Sequence, residues 1–420
     1  MYYIKLTIGT LIALLFWLGL VVISAFYGWW MGPIATSGDT EGFFQSVSQI
    51  IESENRGNAA LVLIEKGEIA AEYYSKSNEI VDRNTVFSTA SMSKWFTASA
   101  VMKLVQDGSI GLNEPVLSYL TRWQLPPSEF ANSEVTIRRL LSHTAGFTDG
   151  LGFGDYSSDE ELPTLEESLA SPRASTGREV KLVVERQPGS EFIYSGGSYH
   201  ILELLIEEVT KMSFEEYMKD TFFDPLNMSR STYSYIASIE NNAGSYDRDG
   251  QAAPMYKYAS SAATGFATSG SDLAKFVIAQ IPNSSIVNIL DQSIIETMRE
   301  PHGKTLGLNV WGLGTILYST TRGNDFLFGH DGGNDPAINS TARINPENGD
   351  AIIVLETGHP SLATNIGSHW VLWQTGYPDV LDSDSIIESM YAPFLIGLLL
   401  ILVASIYIGF RRSRRLFVSP

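Results

Sequence analysis

The chain has no cysteine in 420 residues, which excludes disulfides, thiolate nucleophiles and cysteine-ligated zinc together. Positive charge is scarce: 28 Lys and Arg stand against 47 Asp and Glu, a formal net charge of -19. Nucleic acid is therefore excluded as a partner, because phosphate binding needs clustered Lys and Arg. The histidines His200, His302, His359 and His369 show no ligand spacing with acidic residues, so neither a metal nor another cofactor is expected. Internal repeats and low-complexity tracts are also missing. What remains is a chain with 44% apolar residues, long enough for a substantial core in one or two lobes.

Lys and Arg are absent from two long stretches, one between Lys5 and Arg56 and one between Arg343 and Arg411. Each contains an uncharged apolar run. Leu6–Trp30 is long enough to cross a bilayer, and Tyr391–Phe410 is a second such run, stopped by "RRSRR" at Arg411–Arg415. By the positive-inside rule both ends lie in the cytoplasm and the body is displayed outside. The expectation is a multi-pass cell-membrane protein with spans at 6–30 and 391–410, a basic cytoplasmic tail at 411–420 and an extracytoplasmic domain at 45–374. Trp29 and Trp30 suit an outer interfacial belt. A cleaved signal sequence is the competing reading of the first run. Residues 31–44 read as a Gly-rich linker and "DVLDSDSIIES" (Asp379–Ser389) as an acidic one.

Within the body, "AALVLIEKGEIAAEYY" (Ala59–Tyr74) reads as a hairpin turning at Glu65–Gly67. Residues from about Ile110 to Asn242 are mainly helical, with Tyr199–Met218 the clearest helix. "SGSDLAKFVIAQI" (Ser269–Ile281) opens on an N-cap serine. Strands return at Trp311–Ser319, at Asp325–Gly333 and around the Asn-Gly turn of "NPENGD" (Asn345–Asp350), and Ser361–Gln374 closes the body as a helix. The predicted fold is α+β: one antiparallel sheet of early and late strands flanked by terminal helices, with a helical lobe at about 110–242 inserted. A cleft between the lobes is the default place for a site.

The chemistry concentrates in "STASMSKWFTASAVMKL" (Ser88–Leu104), where Ser91 and Lys94 stand three residues apart on a predicted first helical turn. That spacing puts both side chains on one face. A serine hydroxyl needs a base, and a lysine becomes one when burial and the positive end of a helix disfavour its ammonium form. The same helix end offers backbone N–H groups to a developing oxyanion. No other lysine here has a serine three positions before it. Tyr194, in "PGSEFIYSGGSYHILELLIEEVTK", has a phenol suited to relaying protons. "FGHDGG" (Phe328–Gly333) ends a strand on a Gly pair that lets the backbone approach a ligand.

These three motifs, in this order, resemble the penicillin-recognising serine hydrolases, and among them the class C β-lactamase, D,D-peptidase and esterase-like branch. The resemblance runs from about Gln45 to Gln374 and includes "TIRRLLSHTAGF" (Thr136–Phe147), "FFDPLNMSRSTY" (Phe222–Tyr233) and "GFATSGSDLAKF" (Gly265–Phe276). It implies Ser91 as the acylated nucleophile, Lys94 as its base and Tyr194 as the proton shuttle. It also implies the backbone N–H groups of Ser91 and Gly333 as the oxyanion hole. His330, Asp331, Gly332 and Gly196 then fall at substrate-binding positions. His143, in "LLSHTAGF", falls at a structural turn.

The chain departs from the family pattern twice. Gly196 stands where the second motif usually carries Asn, and His330-Asp331 where a Lys-Thr pair or His is common. An inward-facing Asp331 would repel a substrate carboxylate. The expected function is a serine hydrolase for small-molecule or peptide substrates, an esterase or amidase/peptidase more than an efficient β-lactamase. The alternative is a catalytically silent ligand-binding relative. The acidic stretch "SSDEELPTLEES" (Ser157–Ser168) is expected to be a solvated loop overhanging the cleft.

Overall fold

The computed structural model describes residues 2–75, 80–150, 154–174, 180–282, 284 and 286–417. Its early strands are β1 (Ala59–Glu65) and β2 (Glu68–Tyr74). The late ones are β3 (Gly303–Thr305), β4 (Leu308–Trp311), β5 (Ile316–Thr320), β6 (Phe326–Asn334), β7 (Ile338–Asn345) and β8 (Asp350–Thr357). They form one sheet in the order β2-β1-β8-β7-β6-β5-β4-β3, with antiparallel neighbours throughout. The first hairpin turns at Lys66-Gly67, both with positive φ (52° and 80°), as a tight two-residue turn matched to strand twist requires. The early strands reach the late ones through β1 and β8, with Leu61 opposite Val354.

The apolar run in β1 is continuous because both of its faces are covered. Ala60, Val62 and Ile64 enter one core with Trp95 and Phe96, while Ala59, Leu61 and Leu63 enter a second with Phe43, Val47, Ile51 and Trp370. Alternating side chains thus supply two cores from one strand. Helices α2 (Thr40–Glu54) and α6 (Leu362–Thr375) belong to the second core. α3 (Ser93–Gln106), α4 (Gly196–Thr210) and α5 (Gly270–Ala279) belong to the first. The predicted Tyr199–Met218 helix is two helices. Lys211 takes a left-handed conformation (φ 61°), and Ser213 opens a new helix at Phe214 through a capping box with Glu216.

Two further helices flank this body, α1 (Tyr2–Phe26) and α7 (Ser383–Phe417). Ile4–Phe26 and Ser383–Ser413 are long and apolar enough to cross a membrane. They lie side by side, with Thr10 Oγ1 and Ser405 Oγ 2.7 Å apart and the Trp17 indole donating to the Pro393 carbonyl at 3.2 Å. α7 starts inside the predicted acidic linker and continues through the expected tail, of which residues 418–420 lie outside the described ones. Asp379 is not linker surface. It is buried against Arg343, which needs a countercharge inside the fold.

Candidate active site

A short strand at Val86–Ser88 pairs with Ala267–Ser269 and delivers the chain to a single 3₁₀ turn, Ala90–Met92, that runs into α3. Ala90 sits in the left-handed region (φ 48°), an uncommon and strained conformation for a non-glycine residue. The turn is fixed from several sides. Thr89 donates through its N–H and Oγ1 to the Phe266 carbonyl at 3.0 and 2.9 Å, and Ser93 Oγ donates to the Ala90 carbonyl at 2.7 Å. Ser340 Oγ, from β7, donates to the Thr89 carbonyl at 2.9 Å. Ser91, inside this turn, is thereby held in one backbone setting.

Ser91 is partly exposed at this turn, while Lys94 is only 2% exposed behind it. Lys94 Nζ lies 3.3 Å from Ser91 Oγ and donates to the Ala263 carbonyl at 2.8 Å. Burial pushes the amine down from 10.5 to about 7, with Asp149 pulling the other way. Tyr194 brings its ring to 5.0 Å from Lys94 Nζ and its hydroxyl into hydrogen-bonding reach of Ser91. Burial raises the Tyr194 pKa, so the group at rest is a phenol, not a phenolate.

The wall opposite Lys94 is aromatic and neutral. His143, in a left-handed turn (φ 55°), accepts the Ser195 N–H on Nδ1 at 3.1 Å. Its ring lies 4.4 Å from that of Tyr194 and 4.6 Å from that of Trp311. Burial holds its pKa well below the usual value. His330 is buried too, its pKa pushed to about 3 by burial and then by Lys94, so its imidazole carries no charge at neutral pH. Its Nδ1 lies 2.5 Å from the Asp331 carbonyl and donates to it, which leaves Nε2 as a buried acceptor with no protein partner among the described residues.

The other third-motif residues behave differently. Asp331 does not face Ser91. Strand alternation turns it to the α6 side of β6, where its carboxylate accepts from Tyr318 at 3.0 Å, from Thr341 and from Arg343 at 3.0 Å. Its predicted place as a substrate contact is therefore corrected: the carboxylate serves the buried Arg343. Gly332 is buried, and a Cβ there would strike the Thr89 carbonyl oxygen, so this glycine lets β6 pack on the Ala90–Met92 turn. Gly196 is also buried, its N–H held by the Gly150 carbonyl at 3.0 Å. Gly333, one residue beyond the close packing, is exposed at the end of β6.

Two contributors went unseen in the sequence. One is the Ala263 carbonyl that holds Lys94, a backbone atom with no residue signature. The other is Asp149, 4% exposed, which accepts from Ser195 Oγ at 2.5 Å and from the Gly197 N–H at 2.9 Å. Burial raises its pKa, and it is the carboxylate whose charge acts on Lys94. Its position six residues after His143, in the loop that faces the second motif, was the available signal. Leu162, from the predicted overhanging loop, lines a cavity of about 110 Å³ beside Ser88 with Tyr235 and Tyr258. Among the described residues, no group of three or more His, Asp or Glu is placed to hold a metal ion.

The Beta-lactamase family model matches residues 43–375, the whole body between the two apolar helices. The chain belongs to the Beta-lactamase family. Within that family it is similar to protein flp of Staphylococcus aureus strain N315, 25% identical over 330 residues. That alignment takes 74% of this chain and spans 62% of the length of flp. Among solved structures it is similar to the octameric penicillin-binding protein homologue from Pyrococcus abyssi, with 25% identity and a TM-score of 0.63 over 80% of this chain and 78% of that one. The D-amino acid amidase from Ochrobactrum anthropi SV3 shares the fold, with 22% identity and a TM-score of 0.61 over 88% of this chain and 99% of that one. The antiparallel sheet of this Beta-lactamase-family protein, flanked by helices, is the architecture these structures share.

Proposed function

We propose that this protein is a serine hydrolase that works through an acyl-enzyme on Ser91, on esters, neutral amides or peptides in preference to β-lactams. The observation that carries the reading is the Lys94 amine, 3.3 Å from Ser91 Oγ and with its pKa lowered by burial to about 7. Near neutral pH a substantial share of Lys94 is free base. It takes the Ser91 proton as Oγ attacks the substrate carbonyl, and the N–H groups of Ser91 and Gly333 receive the oxyanion. The proton then passes from the Lys94 ammonium through the Tyr194 phenol to the departing alkoxide or amine. Water repeats the sequence on the acyl-enzyme and restores Ser91.

The substrate preference rests on charge. A neutral His330 offers no cation to a substrate carboxylate, and Gly196 has no side-chain amide to hold an acylamide group. Asp331, turned toward Arg343, neither attracts nor repels at this wall, so the preference rests on His330 and Gly196. The two apolar helices are read as membrane spans that hold the hydrolase on the extracytoplasmic side, in keeping with the Lys and Arg distribution.

The test uses the full chain in detergent with a chromogenic short-chain ester, a chromogenic cephalosporin and a D-alanyl amide. Ester or amide turnover, lost in Ser91→Ala and Lys94→Met, together with an acyl adduct on Ser91 by mass, is expected. If all three substrates fail and no adduct forms, the reading is wrong and a silent ligand-binding protein takes its place.

A further inference from the structure

The β3–β4 hairpin carries a side chain that water does not explain. Its two-residue turn is Leu306-Gly307, both with positive φ (51° and 83°). Turns of this kind favour Asn-Gly, and a leucine there sits in a conformation its Cβ disfavours. Leu306 is also 98% exposed, and Leu308, two residues on, is 38% exposed. A leucine left in water forgoes the burial that usually holds such a side chain.

The surroundings say what covers it. Gly307 and Leu308 line a cavity of about 550 Å³ together with Phe26, the last residue of α1, and with Tyr27 and Tyr377. The Tyr27 and Tyr377 rings meet edge to face at 6.3 Å, at the end of an apolar helix where interfacial aromatic belts form. Basic residues are scarce in this chain, yet Lys304 stands exposed on the hairpin and Arg322, also exposed, lines the same cavity. Apolar tip, aromatic rim and flanking cations match the vertical order of a lipid leaflet: acyl chains, interface, phosphates.

We infer that the β3–β4 hairpin is a third membrane contact, with Leu306 set among phospholipid acyl chains and Lys304 and Arg322 against the phosphates of the leaflet on which the domain rests. This rests on reading α1 and α7 as spans. Its consequence reaches the site, because β4 ends at Trp311, whose ring packs 5.5 Å from Tyr194 and 5.3 Å from His330. The catalytic wall and the bilayer surface are then two ends of one strand, and substrates carried at the membrane surface meet the cleft at a fixed height.

The absence of native cysteine makes the test direct, since any introduced cysteine is the only label site. The full chain is reconstituted in phospholipid nanodiscs as Leu306→Cys, Leu308→Cys and Ser238→Cys, each carrying an environment-sensitive fluorophore. Ser238 is exposed in a turn (Ile236–Ser238) five residues before Ala243, whose carbonyl accepts from Asn58 just before β1, on the side of the sheet away from the β3 edge. The expected result is blue-shifted emission at 306 and 308, quenched by nitroxide-labelled lipid and protected from iodide, with the opposite pattern at 238. Incorporation into discs with water-like, iodide-quenched emission at 306 and 308 overturns the hairpin contact while leaving the spans standing. Lipid quenching at 238 equal to that at 306 overturns it as well. Failure of the chain to enter discs removes the span reading and the hairpin contact with it.

Discussion

Replacing Lys94 with methionine should abolish turnover and yet make the protein relatively more stable at low pH. The folded chain lowers the Lys94 pKa from 10.5 to about 7 by burial. At about 1.4 kcal/mol per pH unit, holding the ammonium inside the fold costs about 5 kcal/mol. The sign follows from proton binding. Between pH 7 and 10.5 the unfolded chain binds the proton and the folded one does not, so stability rises with pH across that window, and below pH 7 the whole cost is present. From pH 9 to pH 6 the penalty grows from about 2 to about 5 kcal/mol. Methionine has no such term. It does leave the Ala263 carbonyl without its donor, a loss of about 1–3 kcal/mol that does not vary with pH.

The readable quantity is therefore a double difference. Going from pH 9 to pH 6, Lys94→Met should gain about 3 kcal/mol on the parent. For a body of about 330 residues, with an unfolding entropy near 0.7 kcal/mol/K, this is about 4 °C in Tm. Tryptophan-fluorescence melts of the full chain in detergent at the two pH values measure it, and the titrating groups on which Lys94 does not act cancel between the two proteins; Asp149, His143 and His330 feel its charge and do not cancel. In the same preparation, parental turnover of a soluble ester should fall about tenfold per pH unit below 7. A Tm difference that is the same at both pH values would refute the buried, depressed amine, and so would a rate with no acid limb near 7.

Asp149→Asn removes the charge that holds the Lys94 pKa up, so the acid limb of the pH–rate profile should move below its parental position; a limb that stays put or moves up contradicts the coupling. Arg343→Met leaves the buried Asp379 and the half-buried Asp331 without their cation. It should lower stability by about 3–5 kcal/mol, and Asp331→Asn with Asp379→Asn in that background should recover part of the loss, as thermal melts would show. His143→Ala takes away the acceptor of the Ser195 N–H and the ring beside Tyr194. The expectation is a fall in kcat of tenfold or more with a smaller change in KM, because a shuttle that is loosely held loses near-attack geometry. Equal changes in both parameters would place His143 in substrate binding instead.

Much of this protein follows from local sequence. Ser91 and Lys94 meet because three residues of helical rise bring them to one face, whatever surrounds them. The Lys66-Gly67 hairpin, the capping box at Ser213 and the two charge-free runs are likewise short-range features, decided by turn chemistry, capping and hydropathy. The early and late strands could be assigned to one antiparallel sheet because neither set could bury its apolar faces alone.

Other decisions belong to the tertiary structure. Asp331 follows His330 in sequence, yet strand alternation sends one to the wall beside Trp311 and the other to Arg343. Which face each receives depends on how β6 registers against β5 and β7, with a register shift at Leu327/Phe328. The Asp379 segment reads as a solvated acidic linker until its buried partner, 36 residues earlier in the chain, is seen beside it. The depressed Lys94 pKa depends on burial by α4 and the 261–265 turn, and on the Ala263 carbonyl 169 residues away in sequence. A sequence sets which side chains are chemically capable. Burial and long-range pairing set their protonation and direction, because desolvation and partner charges act through space and not along the chain.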